Sequence, residues 1–282
     1  MMDRETVCFF RSILFIPATR PDRYIKALMS EADVACVDLE DAVAPGEKEA
    51  AREKVVDFFK AETSNSIQRA LRINHLASEQ GLRDMLLILK MEPLPDIVMI
   101  PKVESSEEIA WFNEVMTSLE HPVRLIPLVE TTKGLENAIK IAMAPNVVAI
   151  GFGSADYSSE VRGDMSWDSL LYARGRIAQA AGHANIAAID GPWLDLGDDR
   201  GLLEDTQKIT ALGFTGKIAL HPGQLRGIHR GVSPSEETLR QAQKIVNAYR
   251  ANRGGVLVVD GRMVDIPVVE RAQRLINLAN RK

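Results

Sequence analysis

Cysteine is nearly missing from this chain: two residues in 282, Cys8 and Cys36, too few for a disulfide framework or a thiolate metal site. Cys36 lies inside the apolar run Val34 to Val37, and both residues read as buried or inert thiols. No stretch reaches the roughly 18 apolar residues that would span a bilayer, and aromatics make up only 5% of the chain. Positive charge is also in deficit. A formal net charge of -5 argues against the broad basic face of a nucleic-acid binder, while leaving room for a local basic cluster around a small anion. There is no repeat of solenoid period and no low-complexity tract. Met1 to Phe10 place Asp3, Arg4 and Glu5 ahead of a short apolar patch and so lack the basic start and long apolar middle of an export signal. The expectation is a soluble, cytoplasmic protein with no nucleic-acid or membrane partner.

What is present is an alternation. With 46% hydrophobic and 26% charged residues the chain can bury a large core. Apolar runs bounded by turn residues predict strands at Ile13 to Pro17, Val34 to Leu39, Ala70 to Asn74, Ile97 to Pro101, Val123 to Glu130, Val147 to Gly151, Ile186 to Asp190 and Lys217 to His221. Amphipathic segments fall between them: Arg20 to Ser30, Lys48 to Ala61, Glu79 to Lys90, Ser106 to Leu119, Lys133 to Ala142 and Ser169 to Ala181. Eight strand-helix units with continuously apolar strands predict an α/β fold of the (β/α)8 TIM-barrel type over residues 1–230. An open doubly wound sheet is the alternative.

Residues 231–282 exceed what a barrel needs. Ser233-Pro-Ser-Glu236 reads as a capping box that starts a helix running to about Tyr249, and Gly254-Gly255 ends that region. Val256 to Val259 and Arg262 to Val264 flank Asp260-Gly261 as a hairpin with a primed turn, and Pro267 opens a last helix. Such a C-terminal helix-hairpin-helix arm either packs on a neighbouring subunit or covers an open site.

In a barrel of this type function gathers where strands end. Polar residues at those ends are Arg20, then Asp38, Glu40 and Asp41, then Arg72 and Asn74, Lys102, Glu130, Asp156, Asp190 and His221. Each taken singly is equally well read as a helix cap or a solvated loop residue. Glu130 and Asp156 offer hard oxygen ligands with no Cys or paired His nearby, which suits magnesium rather than zinc. Gly151 and Gly153 around Phe152 either form a tight turn or let the backbone approach a ligand, whose carboxylate the N–H groups of Gly153 and Ala155 would hold. Arg72 on its strand needs a partner, either a substrate carboxylate or an internal pair with Asp38 or Glu40. Together these parts describe a site that chelates an α-keto acid or its 2-hydroxy counterpart and supports carbon–carbon bond cleavage or formation beside it.

Several ordered motifs from about Arg11 to Ala279 carry a resemblance. They are Arg11-Ser-Ile-Leu-Phe-Ile-Pro17 with Arg20-Pro21, Asp38-Leu-Glu-Asp-Ala-Val43 with Lys48 and Ala51-Arg52, Leu71-Arg-Ile-Asn74 and Ile100-Pro-Lys-Val-Glu104. Val129 to Leu135, Gly151 to Tyr157, Ala188-Ile-Asp190, His221-Pro222 and Gly261 to Pro267 continue it. The chain resembles the citrate lyase beta subunit-like family within the HpcH/HpaI aldolase and malyl-CoA lyase group. That resemblance implies a magnesium-dependent lyase with Glu130 and Asp156 as metal ligands, Arg72 binding the substrate carboxylate, and Glu40 and Asp41 near the metal's waters. It implies that Asp265 of the arm enters a neighbouring subunit's site as acid or base, in a homotrimer or a multiple of one. A thioester substrate is implied as well. If its carrier is coenzyme A, Arg20, Arg23 and Lys26 are candidates for its phosphates, or else form a solvated basic helix face. Lys102 is a candidate to hold Glu40 or Asp41 in place. Val43, Pro192 and Trp193 are candidates to shape the acyl pocket, and Ser158 to Asp168 and Asp195 to Asp205 read as lid segments by length and composition. The implied reaction is reversible cleavage of a citramalyl-CoA or malyl-CoA type thioester to an α-keto acid and an acetyl thioester. The alternatives are a citrate lyase beta subunit acting on a citryl group held by an acyl carrier protein, a malyl-CoA thioesterase, and a noncatalytic subunit.

Overall fold

The structure, a computed structural model, describes residues 9–63, 67–119, 121–252 and 255–279. Cys8, Gly254 and most of the segment read for an export signal lie outside these residues. Eight parallel strands pair in chain order: β1 (Ser12–Pro17), β2 (Val34–Asp38), β3 (Gln68–Arg72), β4 (Ile97–Ile100), β5 (Arg124–Val129), β6 (Ala149–Phe152), β7 (Ala187–Asp190) and β8 (Gly216–Ala219). The ring closes where Ser12, Ile13 and Leu14 of β1 pair with Lys217, Ile218 and Ala219 of β8. This closure is the predicted (β/α)8 barrel and excludes the open sheet. Helices follow the strands: α1 (Tyr24–Leu28), α2 (Lys48–Lys60), α3 (Glu79–Ile88), α4 (Ser106–Val115), α5 (Thr132–Glu136), α6 (Ala138–Met143), α7 (Ser154–Glu160), α8 (Trp167–Ala184), α9 (Asp199–Leu212) and α10 (Leu225–Val232).

The two-residue period of a strand decides which side chains meet inside the ring. Ile13, Val34, Cys36, Ala70, Ile97, Met99, Ile126, Leu128, Ala149, Ala187, Ile189 and Ile218 form an inner cluster that, among the described residues, no helix side chain joins. Their neighbours Leu14, Ala35, Leu71, Val98, Leu125, Ile150 and Ala188 point outward and pack with Phe58, Ile88, Phe112, Ile141 and Ile177 of the helices. The same count runs to the last residues of β2 and β3 and one residue past β5. Asp38 follows Cys36 by two, Arg72 follows Ala70 by two and Glu130 follows Leu128 by two, so all three belong to the inner parity. Asp190 follows Ile189 by one and faces the helix layer instead.

That outward parity corrects the reading of Asp190 as a rim residue. Asp190 is fully buried and accepts hydrogen bonds from Lys217 Nζ at 2.5 Å and from Arg174 Nε at 3.2 Å. Lys217 Nζ also donates to Asp205 on α9 at 2.7 Å, and Arg174 on α8 lies 3.5 Å from Asp205. Burial alone would push the Asp190 carboxyl up, but Lys217 and Arg174 beside it hold it below the usual range. Two cations and two carboxylates therefore lock β7, β8, α8 and α9 together.

Other expectations shift in detail. The helix predicted from Arg20 to Ser30 is a 3-10 turn at Pro21–Arg23 followed by the short α1, and that predicted from Lys133 to Ala142 is broken at Asn137. Neither lid segment is a long loop. Ser158 to Glu160 complete α7, and the turn after it is held by Ser158, whose Oγ accepts from Met165 N at 3.1 Å. Asp198 caps α9 by accepting from Gly201 N, so most of the second segment is helix.

Residues 230–282 form a second compact unit. Within it α11 (Glu236–Ala251) and α12 (Ile266–Ala279) share a small core of Ala242, Val246 and Ala272. The hairpin β9 (Leu257–Val259) and β10 (Arg262–Val264) is antiparallel, and Asp260 and Gly261 both take positive φ (50° and 76°), as a primed turn requires. The start of α11 is two residues later than read from the sequence: Ser235, not Ser233, caps it by accepting from Thr238 N. Among the described residues no helix is long and apolar enough to cross a membrane.

Replacing one member of the buried charge network strands its partners in a dry layer, which costs about 3–5 kcal/mol. Lys217→Met is expected to lower the unfolding free energy by that amount in denaturant titrations. Lys217→Met combined with Asp190→Asn should lose less than the two single changes added together; strict additivity would show that the four groups do not act as a network.

Candidate active site

The inner parity brings Asp38 and Arg72 together as direct register partners at the ends of β2 and β3. Arg72 Nε donates to Asp38 Oδ1 at 2.7 Å and Nη2 to Oδ2 at 2.6 Å, a bidentate pair, while the guanidinium lies 4.8 Å above the Phe15 ring. Asp38 also accepts from the backbone N of Glu40 and Ala42, so the same carboxylate shapes the loop that follows β2. Burial would lower the Arg72 guanidinium, but Asp38 and Glu40 hold it above its usual value. The internal pair foreseen for Arg72 is thus present with both acids, and its Nη1 lies 2.9 Å from Glu40 Oε2.

Glu40 is turned inward by a scaffold. Lys48 Nζ donates to the carbonyls of Leu39 and Glu40 and to Asn74 Oδ1, and Asn74 Nδ2 donates to Leu39 O and Asp84 Oδ2. Arg52 Nε completes the chain by donating to Asp84 Oδ1 at 2.8 Å. On its exposed side Glu40 accepts from Lys102 Nζ through Oε1 at 2.6 Å. Its Oε2 is buried and, despite the nearby guanidinium, has no aligned hydrogen-bond donor. Desolvation pushes the Glu40 carboxyl up against the pull of Arg72 and Lys102.

Lys102 joins this half of the rim to the other. Its backbone is left-handed, with φ of 53°, a conformation that costs an ordinary side chain of order 1–2 kcal/mol. The conformation aims its amide at Glu130, whose Oε1 accepts at 2.7 Å. Its ammonium lies 3.6 Å from Asp156 Oδ2 and 3.9 Å from Asp41 Oδ1. Burial would lower the Lys102 ammonium, yet the hydrogen bond to Glu40 and the nearby Glu130 and Asp41 charges raise it. Glu130 itself is buried, and desolvation together with the Glu40 and Asp156 charges pushes its carboxyl up to about 8.

Gly153 explains how Glu130 and α7 approach so closely. A Cβ there would sit 2.1 Å from Glu130 Oε2, so any side chain would displace the carboxylate. Gly153 N is committed to Val129 O at 3.0 Å. Ala155 lies in the first turn of α7, where backbone N–H groups have no partner within the helix. Asp156 in the same turn is half exposed.

Charge balance states what this arrangement can take. Five carboxylates, Asp38, Glu40, Asp41, Glu130 and Asp156, share the region with three cations, Arg72, Lys102 and Lys48. With all five ionised two negative charges are left over, the charge of one divalent cation, at a mouth where Asp41 and Asp156 are open to solvent. The proton-retaining Glu130 and the undonated Glu40 Oε2 are the atoms where the imbalance shows. Among the described residues no three His, Cys, Asp or Glu side chains already converge as a closed metal cage. An open set of one or two carboxylates completed by water is what magnesium accepts, so the residues fit that ion.

The remaining sequence candidates are spread more widely. Arg20 is exposed and paired with Asp22 through two hydrogen bonds of 2.8 and 2.7 Å; Arg23 and Lys26 are exposed on the same stretch. Asn74 belongs to the scaffold under Glu40 rather than to the mouth. His221 caps the turn Pro222–Gln224 by accepting from Gly223 N, a structural role. In the second unit Asp265 accepts from Val268 N at 3.3 Å and leads into α12. Phe15 and Asp84 were missed. The signal for Phe15 was available in the parity of β1, whereas Asp84 comes from a helix with no local motif to mark it.

Comparisons with known proteins agree on one group. The sequence model of the HpcH/HpaI aldolase/citrate lyase family matches residues 11–222. The chain is 31% identical to the mitochondrial citramalyl-CoA lyase of Homo sapiens, over 95% of this chain and 85% of that protein. It is 32% identical to the citrate lyase subunit beta of Leuconostoc mesenteroides subsp. cremoris, over 96% of this chain and 93% of the subunit. Among solved structures, the CitE protein of Mycobacterium tuberculosis in complex with magnesium, acetoacetate and coenzyme A superposes with a TM-score of 0.84 at 31% identity, covering 97% of this chain and 99% of that one.

The raised Glu130 carboxyl has a sign that can be tested in metal-free protein. A carboxyl that holds its proton more tightly when folded favours the fold at low pH, and stability falls as pH rises from the ordinary carboxylate range to about 8. Glu130→Gln removes that titration. In denaturant unfolding with a chelator present, the variant should gain on the unsubstituted protein steadily from about pH 5 to about pH 8 and hold the gain above it. Parallel pH profiles for the two proteins would show that Glu130 is not desolvated in this way.

Proposed function

The chain belongs to the HpcH/HpaI aldolase/citrate lyase family and is a lyase of it, and on that premise we propose that it reversibly cleaves a 3-hydroxyacyl thioester of the citramalyl-CoA or malyl-CoA type. The products are an α-keto acid and an acetyl thioester. The observation that carries this reading is the two-charge deficit at the barrel mouth beside a buried guanidinium, a site suited to a divalent cation and a 2-oxo or 2-hydroxy acid together. Glu130 and Asp156 would hold magnesium, with Glu40 and Asp41 as the neighbouring acids. Bound magnesium supplies Lewis-acid polarisation of the oxygen next to the breaking bond.

The chain's own groups do the rest. Arg72 binds the acid half, with Asp38 fixing the plane of the guanidinium so that N–H groups remaining toward the mouth are already oriented. The amide of Ala155 in the first turn of α7 receives the same carboxylate, while Gly153, its own N–H spent on Val129 O, serves by leaving room for the close approach. Lys102 holds one oxygen of Glu40 in place through its ammonium. In the cleavage direction a base removes the hydroxyl proton, the carbon–carbon bond breaks, and the acetyl enolate carbon is protonated. Asp265, delivered from the arm of a neighbouring subunit in a trimer or a multiple of one, is the acid or base at that carbon. Arg20, Arg23 and Lys26 take the phosphates of a coenzyme A carrier; the exposed Arg20–Asp22 pair is weak enough to yield to a phosphate. The match to a citrate lyase beta subunit keeps a second carrier in view, a citryl group on an acyl carrier protein.

Malyl, citramalyl and citryl thioesters, each offered with and without magnesium and followed by mass spectrometry, test the reading. An α-keto acid and an acetyl thioester should appear from one of them in the presence of the metal only. Free coenzyme A released with no cleavage product would identify a thioesterase instead. Glu130→Ala and Asp156→Ala should each lower magnesium affinity by more than the roughly 10–100-fold that changes to outer-shell partners cause, and turnover should fall with it. Intact magnesium binding in both variants would remove these residues from the site.

A further inference from the structure

We propose that Glu160 is a positioning residue that sets the separation of Glu130 and Asp156 by bridging the two segments that carry them. Glu160 is the last residue of α7, one turn after Asp156. Its Oε2 accepts from the backbone N of Thr132 at 2.9 Å and its Oε1 from Thr132 Oγ1 at 2.7 Å. Thr132 is the first residue of α5, two positions after Glu130. Both oxygens of one carboxylate are therefore spent on the segment that presents the other.

The bridge closes a small frame. At its start α7 is fixed to the Glu130 segment by Gly153, whose N donates to Val129 O and whose missing side chain lets Glu130 lie against it. The Glu130 segment is in turn seated on β4 and its loop: Gly134 has no room for a Cβ, which would meet Val103 O at 2.5 Å, and Lys102 N holds Glu130 Oε1. Glu160 is the second attachment of α7 to this seat. The inner face of α7 is seated by buried Ser154, Tyr157 and Ser158, with Tyr157 against the Phe152 ring at 5.5 Å, so the bridge acts on the outer face, where Asp156 and Glu160 lie one turn apart.

Energetics separate this role from a merely structural one. Glu160 and Thr132 are both exposed, and hydrogen bonds of that kind add little to global stability. Geometry at a chelating or reacting centre is far more sensitive, since displacement by about 1 Å is costly there. Removing the bridge should thus move metal affinity and leave unfolding nearly unchanged. The inference rests on the reading of Glu130 and Asp156 as holders of a divalent cation.

Two measurements on the full chain decide it. Mn2+ affinity, read from the EPR signal of free Mn2+, should fall roughly 10–100-fold in Glu160→Ala with the denaturation midpoint unchanged. Thr132→Val, which keeps the charge of Glu160 and loses one of its two bonds, should fall by a smaller factor in the same direction. Wild-type affinity in Glu160→Ala would overturn the proposal, as would a loss confined to the Glu160 variants with Thr132→Val unaffected, which would mean that charge alone matters. The second measurement needs no metal. With Cys8→Ser as background, spin labels at Glu136→Cys on α5 and Ser159→Cys on α7 should give a narrow distance distribution that broadens in Glu160→Ala. An unbroadened distribution would overturn the bridge, whereas a broadened one with no Mn2+ binding by the unsubstituted protein would defeat the metal reading and leave the bridge standing.

Discussion

Carboxylates outnumber cations at the mouth of this barrel, and much of the surrounding structure is an answer to that repulsion. Asp38 is tied to Arg72, Glu40 to Lys102 and Arg72, and Glu130 to the amide of a lysine held in a left-handed backbone conformation. Even so, Glu130 stays hard to ionise and one oxygen of Glu40 has no aligned donor. Such a deficit is relieved either by a proton on the hardest acid to ionise or by a bound cation. Arg72 and Lys102 are placed to hold the acids in position rather than to cancel them.

The contrast with the outer layer is instructive. Arg174, Lys217, Asp190 and Asp205 are as buried as Asp38, Arg72, Glu40 and Glu130, yet there two cations meet two carboxylates and burial is compensated within the protein. That network serves cohesion between strands and helices. One side chain separates the two kinds of site along a strand, because consecutive residues face opposite sides of the sheet. Asp190 sits on the compensated side and Asp38 on the uncompensated one.

Much of this was legible in the sequence. Eight apolar runs ending on polar residues implied the closed barrel, and Glu130, Asp156, Arg72 and Lys102 were all named from strand ends. Asp190 was misplaced because strand ends were read without parity; counting from Ile189 would have turned it outward. The cap of α11 fell on Ser235 because two serines flank Pro234 and sequence alone does not say which hydroxyl reaches the first turn. The segments read as lids held helices whose caps, Gly153 and Asp198, are irregular in backbone and weak as motifs. Contacts such as Arg52 with Asp84 and Thr132 with Glu160 join residues 32 and 28 positions apart in the chain, and no local pattern announces them.

The account turns on the claim that a divalent cation supplies the charge that the mouth lacks. Titration calorimetry of magnesium into the protein, repeated in buffers of different ionisation enthalpy, counts the protons released as the ion binds. With the Glu130 carboxyl pushed up to about 8, binding near pH 7 should expel about one proton, and the release should fade by about pH 9. Binding with no proton release across this range, or no binding at all, would contradict it.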